Sequence, residues 1–466
     1  MVFAGCLACS GGQRPDGAAP SIILITIDAV NTRHLSCYGY ERPTTPFLEE
    51  LSTQGVRFAR VWSTCSWTAP AIASLFTGQY SRSHGVRHGL FNSFSRDIIL
   101  QEPLPQSAHT LAERLQESGY YTMGISTNPH LCKAMAYDQG FDLFQQVVFK
   151  TMVDPQEPVT DAMIERIVVD AEATTAATLE MVHQAPDDQP LFLWVHYLDP
   201  HWPYLPKEPW LSAYHPTGRW TASGGLYLQD IILQRDPLGI EPGSAILDYL
   251  TACYDSELNY CDLGIRELLT SLPEADEAVV IVTADHGESF LEHNALGHRN
   301  NLHEEEVHIP LIIRFPDGRR AGETVWDLAG LLDVSATIVE LAGSGEDARD
   351  QGKSLLPIIN GKTTSRSPVV AAELTDFEGF DQVAVSNGRW KLMEVCRDCE
   401  PLLFDLISDQ HEAFNLAGTK IKALETMKRE LADWRTAIPH QSHSGEMREM
   451  TLEIKEQLQA LGYLKR

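Results

Sequence analysis

Two carboxylates and an imidazole stand in this chain at places where a divalent metal ion could be held. Asp28 closes the aliphatic run Ser21-Ile-Ile-Leu-Ile-Thr-Ile-Asp28, and Asp285-His286-Gly287-Glu288 follows a second run, Ala278-Val-Val-Ile-Val-Thr-Ala. A lone Asp at a strand end is most simply a helix cap. An adjacent Asp and His, added to it, make a mixed oxygen and nitrogen set that suits manganese, zinc, calcium or magnesium. A third stretch, Ser63-Thr-Cys-Ser-Trp-Thr-Ala-Pro-Ala-Ile-Ala-Ser-Leu-Phe-Thr-Gly78, is small and hydroxyl-rich and reads as a helix start near Pro70. A hydroxyl at a helix N-terminus beside a metal is placed as a nucleophile, because ion and helix dipole both favour its alkoxide. Taken alone, the same stretch is an ordinary Thr cap before a Pro-initiated helix.

The elements that must position these residues can be read from hydrophobic patterning. Short, nearly continuous aliphatic runs that end in a polar residue are how buried parallel strands look. Leu191-Phe-Leu-Trp-Val-His196 and Ile309-Pro-Leu-Ile-Ile-Arg314 are two further such runs. Helical stretches lie between them, for example Thr110–Ser118 and Ala171–His183. Strands alternating with helices predict a doubly wound α/β sheet, in which ligands bind beyond the carboxyl ends of the strands. Asp28 and Asp285 both sit at those ends and can meet there.

After about residue 345 the pattern changes. Pro368-Val-Val-Ala-Ala, Val383-Ala-Val-Ser, Trp390-Lys-Leu-Met-Glu-Val and Pro401-Leu-Leu-Phe-Asp are short runs at hairpin spacing, and Lys420–Thr436 reads as an amphipathic helix. The expected organisation is an N-terminal tether over 1–20, a catalytic domain over 21–345, a small α+β subdomain over 346–440 and a C-terminal helix and charged tail over 441–466. Residues 10–20, SGGQRPDGAAP, read as flexible. Met1-Val-Phe-Ala-Gly-Cys6 resembles the end of a lipoprotein signal, which implies an exported protein held at a membrane by a lipid on Cys6.

Charge limits the partners. With 36 Lys and Arg against 64 Asp and Glu, the formal net charge is −28. So acidic a chain repels a phosphate backbone, which argues against nucleic acid. An anionic substrate then needs local positive charge, which a bound metal supplies. Among the nine cysteines, Cys396 and Cys399 form a single C-x-x-C. A zinc site needs a second pair, which the sequence lacks, so free or loosely paired loop thiols are expected.

Many ordered segments resemble the sulfatase family of the alkaline-phosphatase superfamily. They include Ile27-Asp28 with Cys37-Tyr-Gly-Tyr40, Thr45-Pro46 leading to Gly55-Val-Arg-Phe58, and Ala73-Ser-Leu-Phe-Thr-Gly78 with His84-Gly-Val. Gly119-Tyr-Tyr-Thr, Gly140-Phe-Asp, Asp199-Pro-His201-Trp-Pro-Tyr, Asp285-His286-Gly287-Glu288 and Gly297-His298 follow in order. Val307–Pro310, Gly352-Lys-Ser-Leu-Leu, Leu403-Phe-Asp-Leu and Leu461-Gly-Tyr continue the resemblance nearly to the end. It implies an alkaline-phosphatase-like central sheet, mixed but mostly parallel, flanked by helices, with a smaller C-terminal α+β subdomain. It also implies one divalent metal ion and hydrolysis of sulfate esters, or in some relatives phosphate or phosphonate esters.

The departures from the family pattern shape the expected chemistry. Sulfatases carry a Cys or Ser, converted to formylglycine, in a signature that continues x-P-S/A-R. Counting back from Gly78 places Thr68 at that position, with Pro70 and Ala71 matching and Ile72 where arginine belongs. Cys65 is three residues too early, so formylglycine is not expected. Ala29 replaces a second acidic ligand and His286 replaces an asparagine. An Asp28, Thr68, Asp285, His286 set resembles the phosphoryl-transferring branches of the superfamily. His201 and His298 fall where the family places groups that touch the ester or protonate the leaving group, and either could be the general acid. His196, Asp199 and Asn128 are secondary candidates, and a second metal on Asp199, His201 and His298 is a further arrangement the resemblance allows. The expected function is a sulfuric ester hydrolase with a metal-activated Thr68. A phosphate or phosphonate ester hydrolase or transferase is the alternative, and a non-catalytic binder of anionic glycan or lipid is the third reading.

Overall fold

The structure is a computed structural model that describes residues 19–88, 90–95, 98–147, 169–202, 204–215, 240–345, 347–362, 370–375, 381–441 and 446–449. Cys6 and residues 450–466 lie outside the described residues.

A nine-stranded sheet forms the centre. From edge to edge its order is Thr324–Val325, Val56–Trp62, His308–Arg314, Val279–Ala284, Ile22–Ile27, Leu191–Tyr197, Tyr121–Ser126 and Leu143–Gln146, with Ala329–Gly330 also pairing to Val56–Trp62. Ile22–Ile27 runs parallel to both neighbours, as the aliphatic patterning predicts. His308–Arg314 is antiparallel to both of its neighbours, which makes the sheet mixed. All six residues of Ile22–Ile27 and all seven of Leu191–Tyr197 are buried. Register decides where the acidic residues emerge: Ile27 lies opposite Ala284 on one side and Tyr197 on the other. The next residues along, Asp28 and Asp285, therefore leave the sheet side by side.

Helices cover the sheet. Leu111–Glu117 begins with a capping box in which the Thr110 hydroxyl accepts from the Glu113 N–H at 3.2 Å and Glu113 accepts from the Thr110 N–H at 2.7 Å. Ala171–Val182 and the long Ala245–Ser271 helix are capped by Asp170 and Ser244. Every residue of Thr68–Thr77 is buried, and Phe76 meets Trp194 of the sheet edge-to-face at 4.8 Å. That contact anchors the helix whose first residue is Thr68. Among the described residues no helix is long and apolar enough to cross a membrane.

The C-terminal part is an antiparallel meander of Val370–Thr375, Asp381–Ser386, Trp390–Glu394 and Leu402–Asp405, with the Ile421–Ala437 helix packed on it through Met427, Leu431 and Trp434. It joins the main body where the Glu373 N–H donates to the Thr64 carbonyl at 2.9 Å and the Glu373 carboxylate accepts from Ser81 and the Arg82 N–H. Cys396 and Cys399 are joined by a disulfide, whereas Cys37, Cys65, Cys132, Cys253 and Cys261 are free thiols. Within the 441–466 segment, Glu446–Glu449 is a strand pairing with Ile98–Gln101, which also pairs with Leu90–Ser95, and the expected C-terminal helix otherwise lies outside the described residues.

One buried ion cluster ties the subdomain down. Lys391, fully buried, lies 2.9 Å from Glu304 and 2.8 Å from Glu412. Burial pushes the Glu412 carboxyl up, but Lys391 and then His303 outweigh it and hold it at about 2. A carboxyl lowered on folding adds stability that is full above its ordinary value near 4.5 and is lost as pH falls toward about 2. Lys391→Met leaves two carboxylates buried without their cation and should cost about 3–5 kcal/mol. Denaturant unfolding at pH 7 checks the loss, and a pH series should show a shallower acid destabilisation in the variant.

Candidate active site

The site is built where two strands end together. Asp28 follows the first strand, and its own N–H donates to the Tyr197 carbonyl at 2.9 Å. The chain then turns at Ala29, whose φ of 56° lies in the left-handed region. For a residue with a Cβ this costs about 1 kcal/mol. The turn lets the Ala29 N–H reach Asp285 Oδ1 at 3.2 Å, and the Val30 N–H reach the His286 carbonyl at 2.7 Å. On the other strand, Gly287 passes so close to Glu305 that a Cβ would lie 2.0 Å from its carbonyl oxygen. Only glycine fits there.

Thr68 meets this pair of strand ends. Its Oγ1 lies 3.3 Å from Asp28 Oδ1, 3.2 Å from His286 Nε2 and 3.4 Å from Asn128 Nδ2. The helix begins at Thr68 itself, with Trp67 in the cap position, so the hydroxyl belongs to the first helical residue rather than to the cap. His286 Nδ1 donates to the Gly287 carbonyl at 2.8 Å, which leaves Nε2 to face Thr68. That Nε2 also lies 3.3 Å from Asp28 Oδ1 and 3.6 Å from Asp285 Oδ2. All four residues expected to gather are therefore together, and all are buried.

Two secondary candidates are closer to the centre than sequence reasoning placed them. Asn128 Nδ2 donates to Asp28 Oδ2 at 2.7 Å, and its Oδ1 accepts from the His130 N–H at 2.9 Å, which fixes the orientation of the amide. His196 Nε2 lies 3.2 Å from Asp28 Oδ2, and its Nδ1 lies 2.9 Å from the Thr26 hydroxyl, which accepts from the Trp194 ring N–H at 3.0 Å. Asn128 lies two residues past a strand of the central sheet, and His196 lies within one. Asp199 is the opposite case. Its carboxyl is grouped with Asp170, Lys207 and Glu257, and burial followed by Asp170 pushes it up to about 7. A metal shared by Asp199, His201 and His298 is not what the structure assembles.

The electrostatics call for a cation. Burial and then the Asp28 charge push Asp285 up to about 6. Burial also opposes charge on Asp28, but His201, His196 and His286 outweigh it and hold that carboxyl well below its usual range. His286 is pushed up to about 10, because Asp285 and Asp28 overcome its burial. Asp285 Oδ2 is buried and accepts no hydrogen bond among the described residues. Ligand atoms of Asp28, His196 and Asp285 lie within 4.8 Å of one another. Two carboxylates, imidazole nitrogens and an orphaned carboxylate oxygen fit a divalent ion. Binding one would displace the proton from His286.

A second ring of side chains faces this cluster. His298 lies 4.8 Å from His201 and 4.6 Å from His286, ring centre to ring centre. His298 Nδ1 donates to Glu288 Oε2 at 2.7 Å, and the Tyr204 hydroxyl donates to Glu288 Oε1 at 2.8 Å. His201 Nδ1 donates to the Trp202 carbonyl. In both histidines the neutral ring therefore keeps its lone pair on Nε2. Burial is the main cause that lowers His201 to about 4 and His298 to about 3. Sequence reasoning missed His130 and Arg299. His130 packs against Trp67 at 5.5 Å, and the Arg299 guanidinium lies 4.2 Å from the centre of the same ring. Arg299 follows His298 directly, the one signal that could have drawn attention to it. Ile72, where a signature arginine was expected, is fully buried in the helix.

The family model described as Sulfatase matches residues 20–344, and that of the N-sulphoglucosamine sulphohydrolase C-terminal region matches residues 292–437. An N-acetylglucosamine-6-O-sulfatase of Bacteroides thetaiotaomicron is 21% identical over 88% of this chain and 85% of its own. Among solved structures, one in complex with its substrate D-glucosamine-2-N,6-O-disulfate aligns with a TM-score of 0.72 at 18% identity, covering 91% of this chain and 100% of that one. The phosphonate monoester hydrolase of Agrobacterium radiobacter aligns with a TM-score of 0.69 at 20% identity, covering 90% and 96%.

The packing at Gly287 yields a test. Gly287→Ala forces the Asp285–Glu288 segment away from Glu305, which should displace His286 and cost about 2–4 kcal/mol. A drop in thermal stability together with loss of metal affinity is the expected result, measured by calorimetry on the same sample.

Proposed function

The chain belongs to the sulfatase family of ester hydrolases, and from that premise we propose that it cleaves sulfate esters of an anionic substrate with the Thr68 hydroxyl as nucleophile. The observation that carries this reading is the convergence of Thr68 Oγ1 with His286 Nε2, Asp28 and Asn128 within 3.2–3.4 Å. A sulfated glycan is the substrate class favoured by the relatives, one of which is named for N-acetylglucosamine-6-O-sulfate cleavage.

Asp28, Asp285 and His286 would hold the metal, with Thr68 completing the set and His196 beside Asp28. A divalent ion bound there supplies positive charge that lowers the pKa of the Thr68 hydroxyl and neutralises an ester oxygen. Thr68 donates its hydrogen bond to Asp28, so its proton has an acceptor as the oxygen attacks sulfur. The bond from sulfur to the leaving oxygen breaks, and that oxygen takes a proton from His201 or His298. Both imidazoles are neutral in the free protein, and an anionic ester placed between them opposes the burial that keeps them so. Water then attacks the sulfur, the neutral imidazole of the same histidine accepts its proton, and the departing Thr68 oxygen takes back the proton held by Asp28. Glu288 orients His298 through Nδ1, and Arg299 adds positive charge beside Trp67 where the helix itself offers only Ile72. Thr68 cannot become formylglycine, and Cys65 is a buried thiol whose pKa burial raises.

A second reading is favoured by the same threonine. A plain hydroxyl nucleophile paired with His286 suits phosphate or phosphonate esters, and the similarity to a phosphonate monoester hydrolase supports it. A purely non-catalytic binder of anionic glycan or lipid is disfavoured, because every member of the expected metal set is present and assembled.

Aryl sulfate, aryl phosphate and aryl phosphonate esters, assayed with manganese, zinc, calcium and magnesium in turn, separate these readings. The expected result is turnover of the sulfate ester, abolished by chelator and restored by metal. Thr68→Ala should lower kcat by about 1,000-fold or more with an unchanged Tm, whereas Thr68→Ser should retain activity. Full activity in Thr68→Ala would sink the nucleophile assignment. Turnover confined to the phosphorus esters would replace the first reading by the second.

A further inference from the structure

Resting on the metal set proposed above, we infer that the Tyr254 hydroxyl is a positioning group for that set, because it locks the turn that aims Asp28 at Asp285. Four consecutive residues, Asp28 to Asn31, leave the sheet together, and each N–H goes to a different partner. The Asp28 N–H donates to the Tyr197 carbonyl at 2.9 Å, the Ala29 N–H to Asp285 Oδ1 at 3.2 Å, and the Val30 N–H to the His286 carbonyl at 2.7 Å. The Asn31 N–H donates to the Tyr254 hydroxyl at 2.8 Å, and that hydroxyl donates to the Ala29 carbonyl at 2.8 Å. One oxygen from the long Ala245–Ser271 helix thus spans the turn, using its single donor and an acceptor site on backbone groups two residues apart. The Asn31 side chain completes the hold on the other strand end, donating from Nδ2 to the Glu288 carbonyl at 2.8 Å.

Two forces make such a lock necessary. Ala29 sits at φ 56°, a left-handed conformation that a residue with a Cβ leaves unless its surroundings hold it there. Asp28 and Asp285 are buried beside one another, and their like charges push the strand ends apart. Tyr254, Ala29 and Asn31 are themselves buried, so no bulk water replaces the hydroxyl if it is removed. The Ala29 carbonyl and the Asn31 N–H then find new partners only if the turn moves, and Asp28 moves with it. The ring is fixed from several sides, which keeps the hydroxyl in place. Tyr254 meets Phe290 at 4.9 Å, His34 at 5.2 Å and Tyr204 at 5.6 Å, ring centre to ring centre, each edge-to-face. Tyr204 is the residue whose hydroxyl donates to Glu288, so one aromatic cluster supports both strand ends. The competing role is that of an ordinary buried tyrosine, whose hydroxyl adds stability and nothing more.

The test compares Tyr254→Phe with a matched control in the full chain, stripped of metal by chelator. Tyr254→Phe keeps the ring and its packing and removes only the hydroxyl. Ser256→Ala is the control: two residues along the same helix, its hydroxyl accepts from the Lys207 N–H at 2.9 Å and donates to the Lys207 carbonyl at 2.8 Å. It therefore loses the same kind of double bond to backbone, from a segment that carries no member of the metal set. Manganese, zinc, calcium and magnesium are titrated singly by calorimetry. For the ion that binds the parent chain, Kd should rise about 10–100-fold in Tyr254→Phe and stay unchanged in Ser256→Ala. In the metal-free proteins, hydrogen exchange across residues 29–31 should quicken in Tyr254→Phe alone. An equal Kd in parent and Tyr254→Phe, or the same rise in both variants, would reduce Tyr254 to an ordinary core residue and overturn the inference. A parent chain that binds none of the four ions would sink the metal reading itself, and the inference with it.

Discussion

The structure depends on one electrostatic constraint: two carboxylates, Asp28 and Asp285, are buried side by side at the ends of adjacent parallel strands. Like charges so placed, out of reach of water, repel strongly and must be answered locally. The protein answers with several groups at once. The Ala29 and His286 N–H groups donate to Asp285 Oδ1, Asn128 donates to Asp28, and two imidazoles press against the pair. Among the described residues, Asp285 Oδ2 still lacks a hydrogen bond. The fold thus builds a place where positive charge is required, and the nucleophile candidate is set at its edge.

That constraint reaches outward through the backbone. Ala29 accepts a left-handed turn so that its N–H can reach Asp285, and Gly287 gives up a side chain so that the strand end can pass against the Glu305 backbone. The Glu305 segment in turn carries the contacts that lead to His293 and the C-terminal meander. The small subdomain is therefore more than a cover. Through Glu412 and Lys391 it holds the segment against which the Asp285–Glu288 turn is packed. The buried cluster of Lys391, Glu304 and Glu412 thus helps to keep the partners of Thr68 in place.

Local charge also accounts for a sulfatase-family chain that lacks the family's usual signature. A formylglycine site relies on a modified residue and a neighbouring arginine. Here the position is a threonine, and the arginine position is a buried isoleucine. Arg299 approaches from another loop and stacks on Trp67, beside Thr68, bringing positive charge near the same place by a different route.

Much of this was legible in the sequence. The aliphatic runs ending in Asp28 and Asp285 identify buried parallel strands, because a short, unbroken apolar run suits a strand covered on both faces. The adjacency of Asp285 and His286 and the position of Thr68 before Pro70 mark the centre, and His201 and His298 do face it. What the sequence could not decide was register and orientation. Asp28 meets Asp285 because Ile27 pairs with Ala284, a choice made by the packing of the whole sheet. His196 and Asp199 lie three residues apart, yet one touches Asp28 and the other turns to Asp170 and Glu257. His130, Arg299 and the bonds of Tyr254 to Ala29 and Asn31 are invisible in one dimension, since their meeting depends on tertiary contacts. Local sequence determined which residues could do chemistry, and long-range packing decided which of them could do it together.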